Sequence, residues 1–287
     1  MLARLFVVAV LVAASASTAS AQAVSAVAVT SCGQVVPAHT VGVLQDDLDC
    51  PAAAGAAFAV TLEDRAVLEL DGHRLSGGGT TVRLASDGGS RRWTIRGPGE
   101  ISGGASPAAE SACVEMPAGL LIISDVVVRS CASGLHGVIE PGAALQRQSR
   151  VRATRLLVED GVGTTPFALH AFRIDGRNVT VRGNAGAGIR AHEVRGTDIR
   201  ATDNGATGLH VEGRANVRRL VATGNGDLGV RAGRFLLLDQ STVTGNDGSP
   251  GGVDIASDAK PLLRRTTCGR SARAGGDNVS FGVCVND

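Results

Sequence analysis

The chain has 287 residues, 39 of them glycine, with no tyrosine, one tryptophan and a single lysine, Lys260. Arginine and lysine total 28 against 27 acidic residues, and with Arg4 set aside in the N-terminal segment the two are equal at 27. That balance excludes a general nucleic-acid or membrane-surface binder, and the scarcity of aromatics weakens ring stacking as a means of holding sugars.

Residues 1–21 read as a secretory signal peptide. Arg4 supplies the positive start, Leu5 to Ala14 the apolar stretch, and Ala19-Ser20-Ala21 a small-residue cleavage site. The mature protein is then secreted or periplasmic, with 22–287 as one domain. No membrane span is expected in it, because the apolar stretch Gly119 to Val128 is interrupted by Asp125.

Three pieces follow in order: Cys32-Gly33, then Leu48-Asp49-Cys50-Pro51, then Val67-Leu68-Glu69-Leu70-Asp71-Gly72-His73-Arg74-Leu75-Ser76-Gly77. Together they resemble the opening of bacterial right-handed parallel β-helix repeat proteins of the pectate-lyase-like superfamily. In these a Cys-Gly pair, a short acidic stretch to Cys and a Leu-Asp-Leu-Asn-Gly-His run often open the first coils. Glu69 and Asp71 stand where that pattern has Asp and Asn. The resemblance covers about 45 residues and implies a fold more than an activity. The superfamily holds polysaccharide lyases, glycoside hydrolases, epimerases and members with no known reaction. His73, with Asp71 to orient it, is a catalytic candidate; the plainer assignment makes Gly72 a turn, puts Leu68, Leu70 and Leu75 in the core and leaves His73 structural. Asp46, Asp47 and Asp49 could hold calcium, the one cofactor in view, although a solvated loop tied down by Cys50 is preferred.

Downstream, Asn184, Asn204, Asn225 and Asn246 recur at intervals of 20, 21 and 21 residues. Apolar residues alternate on both sides of each, as in Val179 and Val181 before Asn184 and Ile189 and Ala191 after it. A fixed period of this length marks a solenoid, and period-two alternation around a turn marks strand, turn, strand. The expected fold is all-β: a single-stranded right-handed parallel β-helix of about 10 coils. Each Asn is expected at a left-handed corner, stacked with its neighbours as an amide ladder, with Thr202, Thr223 and Thr244 in an outer row. In the fourth copy, Val253 and Ile255 match the alternation after a two-residue insertion.

Six cysteines allow 15 pairings. Residues nearly one coil apart lie on adjacent rungs, which favours Cys32–Cys50, Cys113–Cys131 and Cys268–Cys284, with the first and last clamping the ends.

Familiar catalytic motifs are absent. The single Lys260 follows Ala259, which rules out a phosphate loop, and Gly275-Gly276-Asp277-Asn278 is one isolated fragment of a calcium nonapeptide. No catalytic residue is assigned. The surface candidate is an outward row, Arg190, His210 and Arg231, with His192, Arg200 and Arg219 nearby. Such a row would meet an acidic polysaccharide along the stack, binding more strongly below about pH 6 as His210 gains charge. Against this stands a solvated face balanced by Glu193 and Glu212. Two functions follow: a monomer directed at extracellular or envelope polysaccharide, by binding or by processing, or a non-catalytic structural or adhesive surface protein.

Overall fold

The computed structural model describes residues 25–51, 58–86, 91–103, 112–137, 148–162, 167–247, 252–274 and 279–285. Residues 1–21, expected from sequence to be a leader, and the Gly275-to-Asn278 fragment lie outside them. Among the described residues there are only strands, bridging turns and bends, and no helix is long and apolar enough to cross a membrane. Each strand pairs in parallel with its equivalent one coil later, so the chain winds into a β-solenoid of about nine turns.

A regular coil has three faces. The first carries residues 173–177, paired to 193–197, 214–218 and 235–239 on the following coils. The second carries 179–182, 199–202, 221–223 and 242–244. The third carries 187–191, 209–211, 230–232 and 255–257. Alternation turns every second side chain inward. Ile174, Val194, Ala215 and Leu236 line the interior from the first face, Val181, Ala201, Ala222 and Val243 from the second, and Ile189, Leu209, Val230 and Ile255 from the third, all buried. In the early coils Leu68, Leu70 and Leu75 are fully buried around the turn made by Asp71 and Gly72, both left-handed.

Between the first and second faces the chain turns on a single left-handed residue. Asp125, Arg155, Asn178, Asp198, Arg219, Gln240 and Arg265 hold this corner with φ from 47° to 61°. The conformation costs an L-residue about 1–2 kcal/mol. It is tolerated because strands on both sides stay paired through the bend.

The second corner carries the asparagines, with a correction. The left-handed residue is the one before each Asn, namely Gly183, Asp203, Gly224 and Gly245, at φ 55° to 67°. The Asn backbone is not left-handed; its side chain turns inward instead. Nδ2 of Asn184, Asn204 and Asn225 donates to Oδ1 of the next Asn at 2.9, 2.9 and 2.8 Å. The backbone N–H of each donates to the same oxygen. The remaining amide hydrogen goes to a backbone carbonyl, of Arg182, Val181, Ala201 or Ala222 along the file. Every side-chain polar atom of the four asparagines is thus partnered, Asn184 Oδ1 by the Gly161 N–H at 3.0 Å.

The file ends on Asp254, which is buried. Its Oδ1 accepts from Asn246 Nδ2 and N at 2.8 and 3.1 Å, and its Oδ2 from the N–H groups of Gly269 and Arg270 at 3.0 and 3.2 Å. By register Asp254 occupies the place of Gly208 and Gly229. A Cβ on those glycines would lie 2.6 and 2.5 Å from Nδ2 of Asn225 and Asn246, so only glycine leaves room for the next coil's amide. After Asn246 no further Asn continues the file among the described residues, and a carboxylate fills the slot. The insertion is also longer than the sequence suggests: Val230 follows Asn225 by five residues and its partner Ile255 follows Asn246 by nine. Val253 therefore falls in the turn and not in the strand.

Three disulfides join Cys32 to Cys50, Cys113 to Cys131 and Cys268 to Cys284, with Cα separations of 5.6, 5.6 and 5.0 Å. The last carries the C-terminal segment over the final coil, where Val285 N–H donates to Cys268 O.

Candidate functional site

The outward residues of the third face form one column: His136, His170, Arg190, His210 and Arg231 on successive coils. Much of its charge is spent internally. Arg190 donates to Glu212 through Nη2 at 2.6 Å and lies over the Phe167 ring at 4.8 Å. His210 is half-buried, and burial, with Arg231 and Arg190 adding to it, holds its pKa below the ordinary value. His210 therefore gains its charge at a lower pH than an ordinary histidine, which moves the pH dependence expected from sequence downward. His170 is pushed down to about 4, by burial first and then by His136 and Arg190, and its Nε2 is buried without a partner among the described residues. His192 stacks on Phe172 with ring centres 4.9 Å apart. Arg231 is the exposed cation of this column and takes part in no ion pair among the described residues.

Nearer the N-terminus, His73 faces Asp47 at 3.7 Å and not Asp71. Asp47 accepts from the Arg74 N–H at 2.8 Å and Asp49 from Ser76 Oγ at 2.6 Å, so both tie one coil to the next. Among the described residues no three His, Cys, Asp or Glu side chains converge as a metal site would require.

A stronger concentration of charge lies on the first face and its corner with the second. Along the first face the outward residues of four consecutive coils are Arg150 and Arg152; Arg173, Asp175 and Arg177; Glu193, Arg195 and Thr197; then Arg214, Asn216 and Arg218. Apolar rows bound this patch, Leu120 and Ile122 on the coil before it and Phe235 and Leu237 on the coil after. Arg173 pairs with Asp175 at 3.0 Å and approaches Glu193 at 3.8 Å, which in turn lies 4.0 Å from Arg195.

At the corner a groove of about 720 Å³ is lined by Thr154, Arg155, Arg177, Asn178, Asp198, Arg200, Arg219, Val221 and Gln240. Its floor is the left-handed column itself. Arg177 is the last outward residue of the first face and Arg200 the first of the second, so they flank it. Two fork-to-fork pairs link successive coils, Arg155 with Asp125 and Arg219 with Asp198, the latter at 2.6 Å through Nη2. The guanidinium hydrogen bonds hold both carboxylates below their usual range, and Arg177 and Arg200 push Asp198 further the same way. Arg177 and Arg200 themselves are exposed and take part in no ion pair among the described residues.

Arg200 and Arg219 are visible in the sequence only as neighbours of the other row. The missing signal is the corner: Arg155, Arg219, Gln240 and Arg265 turn the chain without a Gly or Asn to announce it. Knowing that single-residue turn aligns the Arg-x-Asp-x-Arg of 173–177 with the Arg-x-Asn-x-Arg of 214–218. No protein-family model, curated protein or solved structure matches the chain.

Proposed function

We propose that this protein is exported and, as a monomer, binds acidic extracellular or envelope polysaccharide along its arginine face and corner groove. The observation that carries this is the segregation of charge: a chain with balanced charges gathers arginines from four consecutive coils on one face, with Arg177 and Arg200 uncompensated at the groove. An extended anionic chain along the axis would meet a guanidinium at each strand spacing of about 4.8 Å. The three disulfides fit an oxidising compartment, and the likeness of the first coils to pectate-lyase-like β-helix proteins supports a polysaccharide ligand. Binding is assigned, and no reaction.

A structural or adhesive surface role is the second reading. The coil-to-coil pairs Asp125–Arg155 and Asp198–Arg219 favour it, since a scaffold would use arginine in this way too. Equilibrium binding of the mature chain to acidic and neutral polysaccharides separates the two. Acidic chains are expected to bind at about 0.05 M salt and to weaken several-fold by about 0.3 M. Equal binding of neutral chains, or none of acidic chains at low salt, would leave the structural role.

A further inference from the structure

The outward positions of the first face change character toward its C-terminal end. Over four coils two of them hold Arg150 and Arg152, Arg173 and Asp175, Glu193 and Arg195, then Arg214 and Asn216. On the next coil the same positions hold Phe235 and Leu237, and Leu262 follows Leu237 one rung later. Phe235 is 39% exposed and Leu262 50%, with Leu237 half-buried beside them. A single exposed apolar side chain is ordinary, but three on adjoining positions mark a surface that something covers. Cations surround them. Arg214 stands one rung before Phe235, Arg234 immediately precedes it in the chain, Lys260 lies two residues before Leu262 and Arg264 two after it. All four are exposed and take part in no ion pair among the described residues. The acids nearby are mostly engaged: Asp239 with Arg265 at 2.9 Å and Arg218 at 3.6 Å, and Glu193 between Arg173 and Arg195, which leaves the exposed Asp258.

We propose that this end of the first face docks on an anionic lipid bilayer, with Phe235, Leu237 and Leu262 entering the headgroup layer and Arg214, Arg234, Lys260 and Arg264 meeting lipid phosphates. The inference is independent of the polysaccharide reading, whose uncompensated cations are Arg177 and Arg200 at the corner. Charge balance over the whole chain excludes a general membrane-surface binder, and the feature here is local. Its two halves together select the occupant. A soluble polyanion would neutralise the four cations and leave the three apolar side chains in water. An apolar protein surface would cover those side chains and bury the cations without partners, which is costly. A second copy apposed through the same patch would set these cations against their own equivalents. An anionic bilayer offers phosphates and acyl boundary in one plane, and arginine and lysine reach the first while their stems lie along the second. The sheet holds Leu237 and Leu262 on neighbouring rungs, about 4.8 Å apart, so they present one surface to that plane.

The test is flotation of the whole mature protein with vesicles of phosphatidylcholine alone or with about one-third phosphatidylglycerol, at about 0.1 M salt. The mixed vesicles should carry about tenfold more protein than the neutral ones. Phe235→Ser with Leu262→Ser, both at exposed positions, should lower that binding about fivefold, as should Arg214→Gln with Arg234→Gln, while Arg177→Ala with Arg200→Ala should leave it within about twofold. Trp93 is fully buried, so in Phe235→Trp the added indole reports its own surroundings, and its emission should shift to the blue on mixed vesicles. Equal binding to both kinds of vesicle, or no binding to the mixed ones, would overturn the proposal. Binding lost only in the Arg177→Ala, Arg200→Ala variant, or unchanged in Phe235→Ser with Leu262→Ser, would overturn it as well and leave a charge contact elsewhere on the arginine face. A blue shift of Phe235→Trp with polygalacturonate and none with vesicles would give the patch to polysaccharide instead.

Discussion

Asn225 receives two hydrogen bonds on its Oδ1 and passes one on through Nδ2, and the same is true of Asn204 one coil earlier. The file therefore has a direction, from amide donors at Asn184 to a pure acceptor at Asp254. An amide in the last slot would present donors to the N–H groups of Gly269 and Arg270, so Asp254→Asn should cost about 2 kcal/mol despite being isosteric. A urea midpoint equal to wild type would show the carboxylate is not needed there. Asn225→Ala leaves the backbone N–H and one Nδ2 hydrogen of Asn204 without their shared acceptor and Asn246 Oδ1 with only the backbone N–H of residue 225, and should cost about 2–3 kcal/mol by the same measurement. The period of the file was legible in sequence because amide stacking demands one Asn per coil. Its terminus was not, since Asp254 reads as one more acid in a turn until register places it opposite Gly229. His170 gives a pH dependence at this scale. Its folded pKa of about 4 lies below the ordinary 6.5, so the unfolded chain binds the extra proton; stability is complete above about pH 6.5 and is lost as pH falls toward about 4. Melting temperatures of His170→Gln across that range should fall less steeply than those of wild type, and parallel curves would contradict the assignment.

The strands were foreseeable from alternation, because each inward residue has nowhere to go but the shared core. The corner that joins first and second faces was not. A single residue in the left-handed region reverses the chain, and the strands paired on either side compensate an Arg or Gln that would avoid that region if isolated. Asn178→Gly should accordingly be close to neutral, while Asn178→Val, branched at Cβ, should lower stability by about 1–2 kcal/mol in a denaturant titration. Equal loss in both variants would mean that the side chain's position in the groove matters more than its backbone. The disulfide pairing was recoverable for a simpler reason: spacings of 18, 18 and 16 residues, though shorter than the local coils, such as Gln34 to Val60 or Val114 to Leu135, still leave the paired cysteines on neighbouring rungs, with Cα separations of 5.6, 5.6 and 5.0 Å.

Across the whole molecule the solenoid converts a sequence of balanced charge into a surface that is not balanced. Sequence reading located an outward cationic row on the third face, and the structure does place Arg190, His210 and Arg231 in line. It named Glu212 as a counter-charge to that row, and Arg190 does meet it across a coil; what it could not supply were the coil-crossing pairs at the corner, such as Arg155 with Asp125 and Arg219 with Asp198. Subtracting these pairs moves the uncompensated charge to the first face and its corner, at Arg177 and Arg200. The measurement that bears most directly on this account is the affinity of an acidic polysaccharide for wild type, for Arg177→Ala with Arg200→Ala, and for Arg231→Ala, at one low salt concentration. The corner double variant should lose about tenfold or more and Arg231→Ala little. Loss confined to Arg231→Ala, with the double variant binding like wild type, would contradict it.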